Sequence, residues 1–195
     1  MEITFTSKQP KKPTLEWCIP LFHVGTSKSI EELKKGIFDS SISNNSGNKN
    51  WLGKGIYFWD NKGNARYWYN QKNSKPVKIA RVPLRLNDSV NYGDFTDCNQ
   101  LIFFDKIWDS YKRHSNNKKK GKKEDFVDYL SEKFDISVIR CTAVYPKIHV
   151  FEFIAERMKE QSMPHICGNV KVVYCIKKNF RNALDVSNLS IVDAE

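Results

Sequence analysis

Residues 51–71, WLGKGIYFWDNKGNARYWYNQ, decide how the rest of the chain is read. Gly53 and Gly55 flank Lys54 and run into Ile56, Tyr57, Phe58 and Trp59, a β-favouring cluster, so the stretch reads as a glycine-bent strand. KGNARYWYNQ at 62–71 follows, with Ala65, Trp68 and Tyr69 on one helical face. After Lys75 and Pro76 the alternating VKIARVPLRL reads as another strand, which makes a strand–helix–strand unit.

Upstream, LEWCIPLFHV at 15–24 is an apolar run interrupted by Pro20, expected to be a strand that starts again after the proline with His23 near its end. SKSIEELKKGI at 27–37 reads as a short helix, capped by Ser27 or Ser29 and stopped at Gly36. DSSISNNSGNKN at 39–50 reads as a mobile loop. Downstream, Leu101, Phe104, Trp108 and Tyr111 keep helical spacing, as do Phe126, Tyr129, Leu130 and Phe134. ISVIRCTAVY, HVFEFIA and NVKVVYCI close the chain as strands, the last of them central.

The 195 residues are 40% hydrophobic and 13% aromatic, enough for one globular body with a real core, and exclude a disordered polymer. Lys and Arg outnumber Asp and Glu by 32 to 22, a net charge of +10 that favours polyanionic partners. Seven of those charges lie in the acid-free run KRHSNNKKKGKK at 112–123, which reads as an insertion. Lys118, Lys119, Lys120, Lys122 and Lys123 would grip a phosphate backbone through salt-sensitive contacts, or else solubilise the loop. Base stacking would fall to Trp51, Trp59 or Trp68.

The five cysteines are scattered, with no CxxC pair and no metal-finger histidines, so a reducing compartment and no metal are expected. Cys141 and Cys175, on strand candidates, read as buried small apolar residues. The opening MEITFTSKQPKK lacks a signal-peptide pattern, and no apolar run approaches about eighteen residues. A cytoplasmic protein without membrane contact is the expectation. No phosphate-binding loop, dinucleotide fingerprint, zinc-protease or serine-hydrolase motif is present.

Two runs carry the chemistry. LFHVGTS at 21–27 ends an apolar strand in a histidine and a Gly-Thr step, and LGKGIYFWDNKGNARYW follows in order. Either alone is equally at home in a core. Together they resemble the nicotinamide pocket of the ADP-ribosyltransferases related to diphtheria toxin and the poly(ADP-ribose) polymerases, with Val24 inserted between His23 and Gly25. The same layout is found in compact bacterial toxins of toxin–antitoxin and phage-defence operons that modify DNA or mRNA. The similarity covers residues 21–70, about a quarter of the chain.

The resemblance implies an α+β fold, a split mixed and antiparallel sheet with peripheral helices, and NAD as the substrate. His23 would bond the NAD ribose, Gly25 would meet the nicotinamide amide through its backbone with Thr26 beside it, and Tyr57 and Tyr67 would stack on the two faces of its ring. Lys54 and the 39–50 loop would face the pyrophosphate, or else Lys54 is a solvated lysine. The family's acid would fall at Asn169 or Val170, neither of which is a carboxylate, so Glu156 or Glu152 would supply it, or the transferase activity is lost. RNA is the expected acceptor ahead of DNA or protein, and a cognate antitoxin or chaperone the expected partner. The rival is an inactive module that binds nucleic acid or a protein.

Overall fold

A computed structural model describes residues 17–39, 51–72, 76–86, 90–114, 123–144, 170–177 and 183–193. Its elements run β1 (Trp17–Thr26), α1 (Ser27–Lys34), β2 (Ile56–Trp59), α2 (Lys62–Gln71), β3 (Val77–Leu86) and β4 (Tyr92–Asp94). Then come α3 (Cys98–His114), α4 (Lys123–Phe134), β5 (Val138–Val144), β6 (Val170–Ile176) and β7 (Ser190–Val192). The fold is α+β, with one mixed seven-stranded sheet ordered β4-β5-β6-β2-β1-β3-β7. Only β4–β5 is parallel.

The strand–helix–strand unit is real, but β2 and β3 are not neighbours. β1 lies between them and pairs antiparallel with both. Nor does Pro20 interrupt β1, which runs unbroken over ten residues. The reason is its partner: Pro20 faces Pro83 across the β1–β3 ladder. Neither has an N–H to give, so the two fit a position where facing residues exchange no hydrogen bonds. On its outer side Pro83 O accepts from Asp185 N at 2.8 Å.

Alternation along the strands divides the core into two layers. Leu21, Ile56, Phe58, Ala80, Val82 and Ile176 face α1 and the 183–189 segment, with Ile30, Leu33 and Leu189 packed on them. Val24, Trp59, Ile79, Val173 and Cys175 face α2, α3 and α4. α3 and α4 form an antiparallel hairpin closed by aromatic contacts, Trp108–Phe126 at 4.8 Å near one end and Phe103–Phe134 at 5.4 Å near the other. Leu101, expected on the buried stripe of α3, is instead exposed, and Phe104 and Ile107 carry that stripe. Trp59, expected as a stacking surface, is buried against Trp68, with ring centroids 6.0 Å apart, and presents no free face.

α1 is capped one residue before the expected serines. Thr26 accepts from Ser29 N at 3.2 Å while the Ser29 hydroxyl donates back to Thr26 O at 3.0 Å. The helix stops at Lys34, and Gly36 takes the left-handed conformation after it. HVFEFIA and all of the 39–50 loop except Asp39 lie outside the described residues.

The glycines of the 51–55 turn are explained by packing. Gly53 has φ 70°, and a Cβ there would strike the Asp128 carboxylate. A Cβ on Gly55 would meet Cys175 Sγ and lie 2.7 Å from Ile176 O. Backbone cannot yield as a side chain tip can, so Gly55→Ala should cost about 1–3 kcal/mol. Urea unfolding checks this, and an unchanged midpoint would contradict the packing account.

Candidate functional site

β1 and β3 pair at ten positions, whereas β1 and β2 pair at one, Phe22↔Trp59. Beyond that pair, on the side of His23 to Thr26, β1 and β2 are not registered with each other, although β1 stays paired with β3 and β2 with β6. The ladder is continued there by a side chain. His23 Nδ1 donates to Tyr57 O at 2.9 Å, which fixes the tautomer and leaves Nε2 as an acceptor. From the other side Lys72, just after α2, donates through Nζ to Val24 O at 3.2 Å. The seam between β1 and β2 is the candidate site.

His23 is buried, and its ring packs on Phe58 at 5.3 Å between centroids. Burial pushes its imidazole pKa down from 6.5 to about 4; the Tyr57 hydrogen bond opposes this and the Lys72 charge adds to it. It is therefore neutral at physiological pH. Gly25 lies against it: a Cβ would strike Ser29 Oγ and sit 3.0 Å from His23 Nε2. Thr26 is engaged as the α1 cap.

Tyr57 is held differently. Its hydroxyl donates to Gly53 O at 2.8 Å and accepts from Leu52 N at 2.9 Å, tying the ring to the 51–55 turn. Lys177, almost fully buried, donates to Leu52 O, to Lys54 O at 3.2 Å and to Asp128 Oδ1 at 3.0 Å. Asp128 also accepts from Lys54 N at 2.8 Å. The turn is thus clamped between α4 and the end of β6, with the Lys54 side chain exposed. Cys175, beneath it, is buried as expected, and burial raises its thiol to about 11.

The structure brings Tyr57 and Tyr67 to the same layer, against the core under α2, α3 and α4. The His23 ring lies in the other layer, with Phe58. The three meet at the seam through the Tyr57 backbone, not face to face. Glu152, Glu156 and Lys118 to Lys122 lie outside the described residues, and Lys123 opens α4. Val170 begins β6, as the strand reading placed it.

Sequence reasoning passed over Lys72, Asp128 and Lys177. Lys72 and Lys177 each follow a strand or helix of the pocket segment or its partner, but the contacts of Lys177 with Asp128 and of Lys72 with Val24 span 49 and 48 residues. Among the described residues no cluster of His, Cys, Asp and Glu could hold a metal ion. No helix among them is long and apolar enough to cross a membrane. No protein-family model, curated protein or solved structure matches the chain.

Because folded His23 titrates near 4 and the unfolded residue near 6.5, the unfolded chain binds more protons between those values. Stability should be complete above that window and fall by about 3 kcal/mol as pH drops through it. His23→Gln should flatten this slope. Urea unfolding at the two ends of the window reads it, and an equal slope in both proteins would place the effect elsewhere.

Proposed function

We propose that the chain is an NAD-dependent ADP-ribosyltransferase whose acceptor is nucleic acid, RNA ahead of DNA, acting as an intracellular toxin or defence effector held in check by a cognate antitoxin. The observation that carries the reading is the seam. It has a neutral histidine at its edge with an acceptor nitrogen left over, next to a tyrosine whose ring is held by two hydrogen bonds. The order of His23, Tyr57 and Tyr67 along the chain adds the resemblance to the nicotinamide pocket. The ADP-ribosyltransferase fold, with β1 and β2 parting around the dinucleotide, belongs to this same reading.

In the transfer, the bond from ribose C1′ to the nicotinamide nitrogen breaks and its electron pair leaves with the ring, which becomes neutral nicotinamide. An acceptor atom of the nucleic acid bonds C1′ and releases its proton. In this reading the dinucleotide passes through the gap between β1 and β2, with His23 Nε2 accepting from a ribose hydroxyl on one face and Tyr57 and Tyr67 holding the leaving ring on the other. A carboxylate, Glu156 or Glu152, would stabilise the cationic ribose. The absence of any carboxylate in the β6 sequence favours a second reading, a module that binds NAD without transferring it.

Labelled NAD offered with RNA, DNA and protein should label RNA, and the Tyr57→Ala variant should lose about a hundredfold or more of the rate. No transfer and no NAD hydrolysis would remove the enzyme. Glu156→Gln and Glu152→Gln, tested apart, identify the acid; full rate in both would exclude each.

Neutralising Lys118 to Lys123 should weaken RNA binding and reduce the slope of log affinity against log salt by about 0.7–0.9 for each phosphate no longer engaged. An unchanged slope would leave the run as a solubilising insertion.

A further inference from the structure

Lys72 lies at the seam, and no carboxylate among the described residues pairs with it. Its ammonium is half-buried, burial lowers its pKa, and its charge reaches His23 strongly enough to depress the imidazole. Among the described residues no carboxylate stands within ion-pair distance of it, and its hydrogen bond to Val24 O uses one of three N–H donors. Lys177 and Arg140, also drawn into the fold, each face a carboxylate, Asp128 at 3.0 Å and Asp94 at 2.9 Å. A half-buried ammonium leaves its remaining donors to the little water that reaches it, and an anion at that place would complete it.

The neighbouring groups of the seam do not supply one. His23 is neutral, Gly25 and the Tyr57 carbonyl are backbone, and Val24 O offers only a dipole. We propose that Lys72 is the anion-binding group of the seam and receives the pyrophosphate of the ligand. This rests on the NAD reading for the identity of the ligand; the anion chemistry itself is shared with free pyrophosphate. Two free N–H donors directed at a diphosphate, with Val24 O as the third partner, leave the ammonium fully satisfied. Lys72 would thereby separate the dinucleotide from nicotinamide alone.

Calorimetric binding of inorganic pyrophosphate, ADP-ribose, NAD and nicotinamide to the full chain and to Lys72→Met and Lys72→Arg tests this. Lys72→Met should weaken pyrophosphate, ADP-ribose and NAD by about tenfold or more and leave nicotinamide unchanged, with Lys72→Arg restoring most of the affinity. A lysine that only ties α2 to β1 would lower the melting temperature of Lys72→Met and leave the affinities alone, which overturns the proposal. NAD bound equally by the wild type and Lys72→Met ends the anion site and leaves the transferase reading standing. Pyrophosphate held through Lys72 with no NAD binding ends the transferase reading and keeps the anion site. A wild type that binds neither ends both.

Discussion

The sheet is held together across a single registered pair. On one side of the seam β2 shares four positions with β6, and on the other it shares one with β1. The His23 imidazole bonding Tyr57 O stands in for the missing ladder, yet one hydrogen bond contributes only about 1 kcal/mol net. What joins the two halves is burial on both sides of the gap: Leu21 and Phe58 in one layer, Val24 and Trp59 in the other, all nearly inaccessible. At about 1.5–3 kcal/mol per large apolar side chain, this packing outweighs the polar link several times over. The polar groups of the seam are therefore not what holds the sheet.

Much of the fold follows from local pattern. α2 and β3 have the bounds that period and punctuation give them, because Lys62–Gln71 and Val77–Leu86 are each self-consistent over a whole element. What pattern misses is pairing at a distance. Pro20 reads as a break until Pro83 is known to lie opposite it. Gly53 and Gly55 read as bending a strand, and only the structure shows Asp128 and Cys175 filling the space beside them. Trp59 reads as a stacking surface until Trp68 covers it. At the candidate site the residue types and their order were legible, but the face each ring occupies was not. That depends on the parity of β1 against β2, set by the one pair Phe22↔Trp59.

The excess positive charge has a defined mounting. The run at 112–123 begins on the last turn of α3 and ends on the first residue of α4, two helices locked by Trp108, Tyr111, Phe126 and Tyr129. Those aromatics pack on one another between the two helices, with Lys112 over the Trp108 ring at 5.4 Å. Of the tryptophans read as stacking surfaces, Trp51 is the exposed one, beside the 51–55 turn, and Trp68 is half-buried.

Both margins of the sheet are short. β4 and β7, the outermost described strands, have three residues each, and β4 is tied inward by Arg140 donating to Asp94 and Thr96. A margin of three residues gives an incoming strand little backbone to template on, so runaway edge-to-edge stacking is discouraged although the interior strands are rich in valine and isoleucine. Growth through the described margins of the sheet would accordingly have only three residues of backbone to extend from.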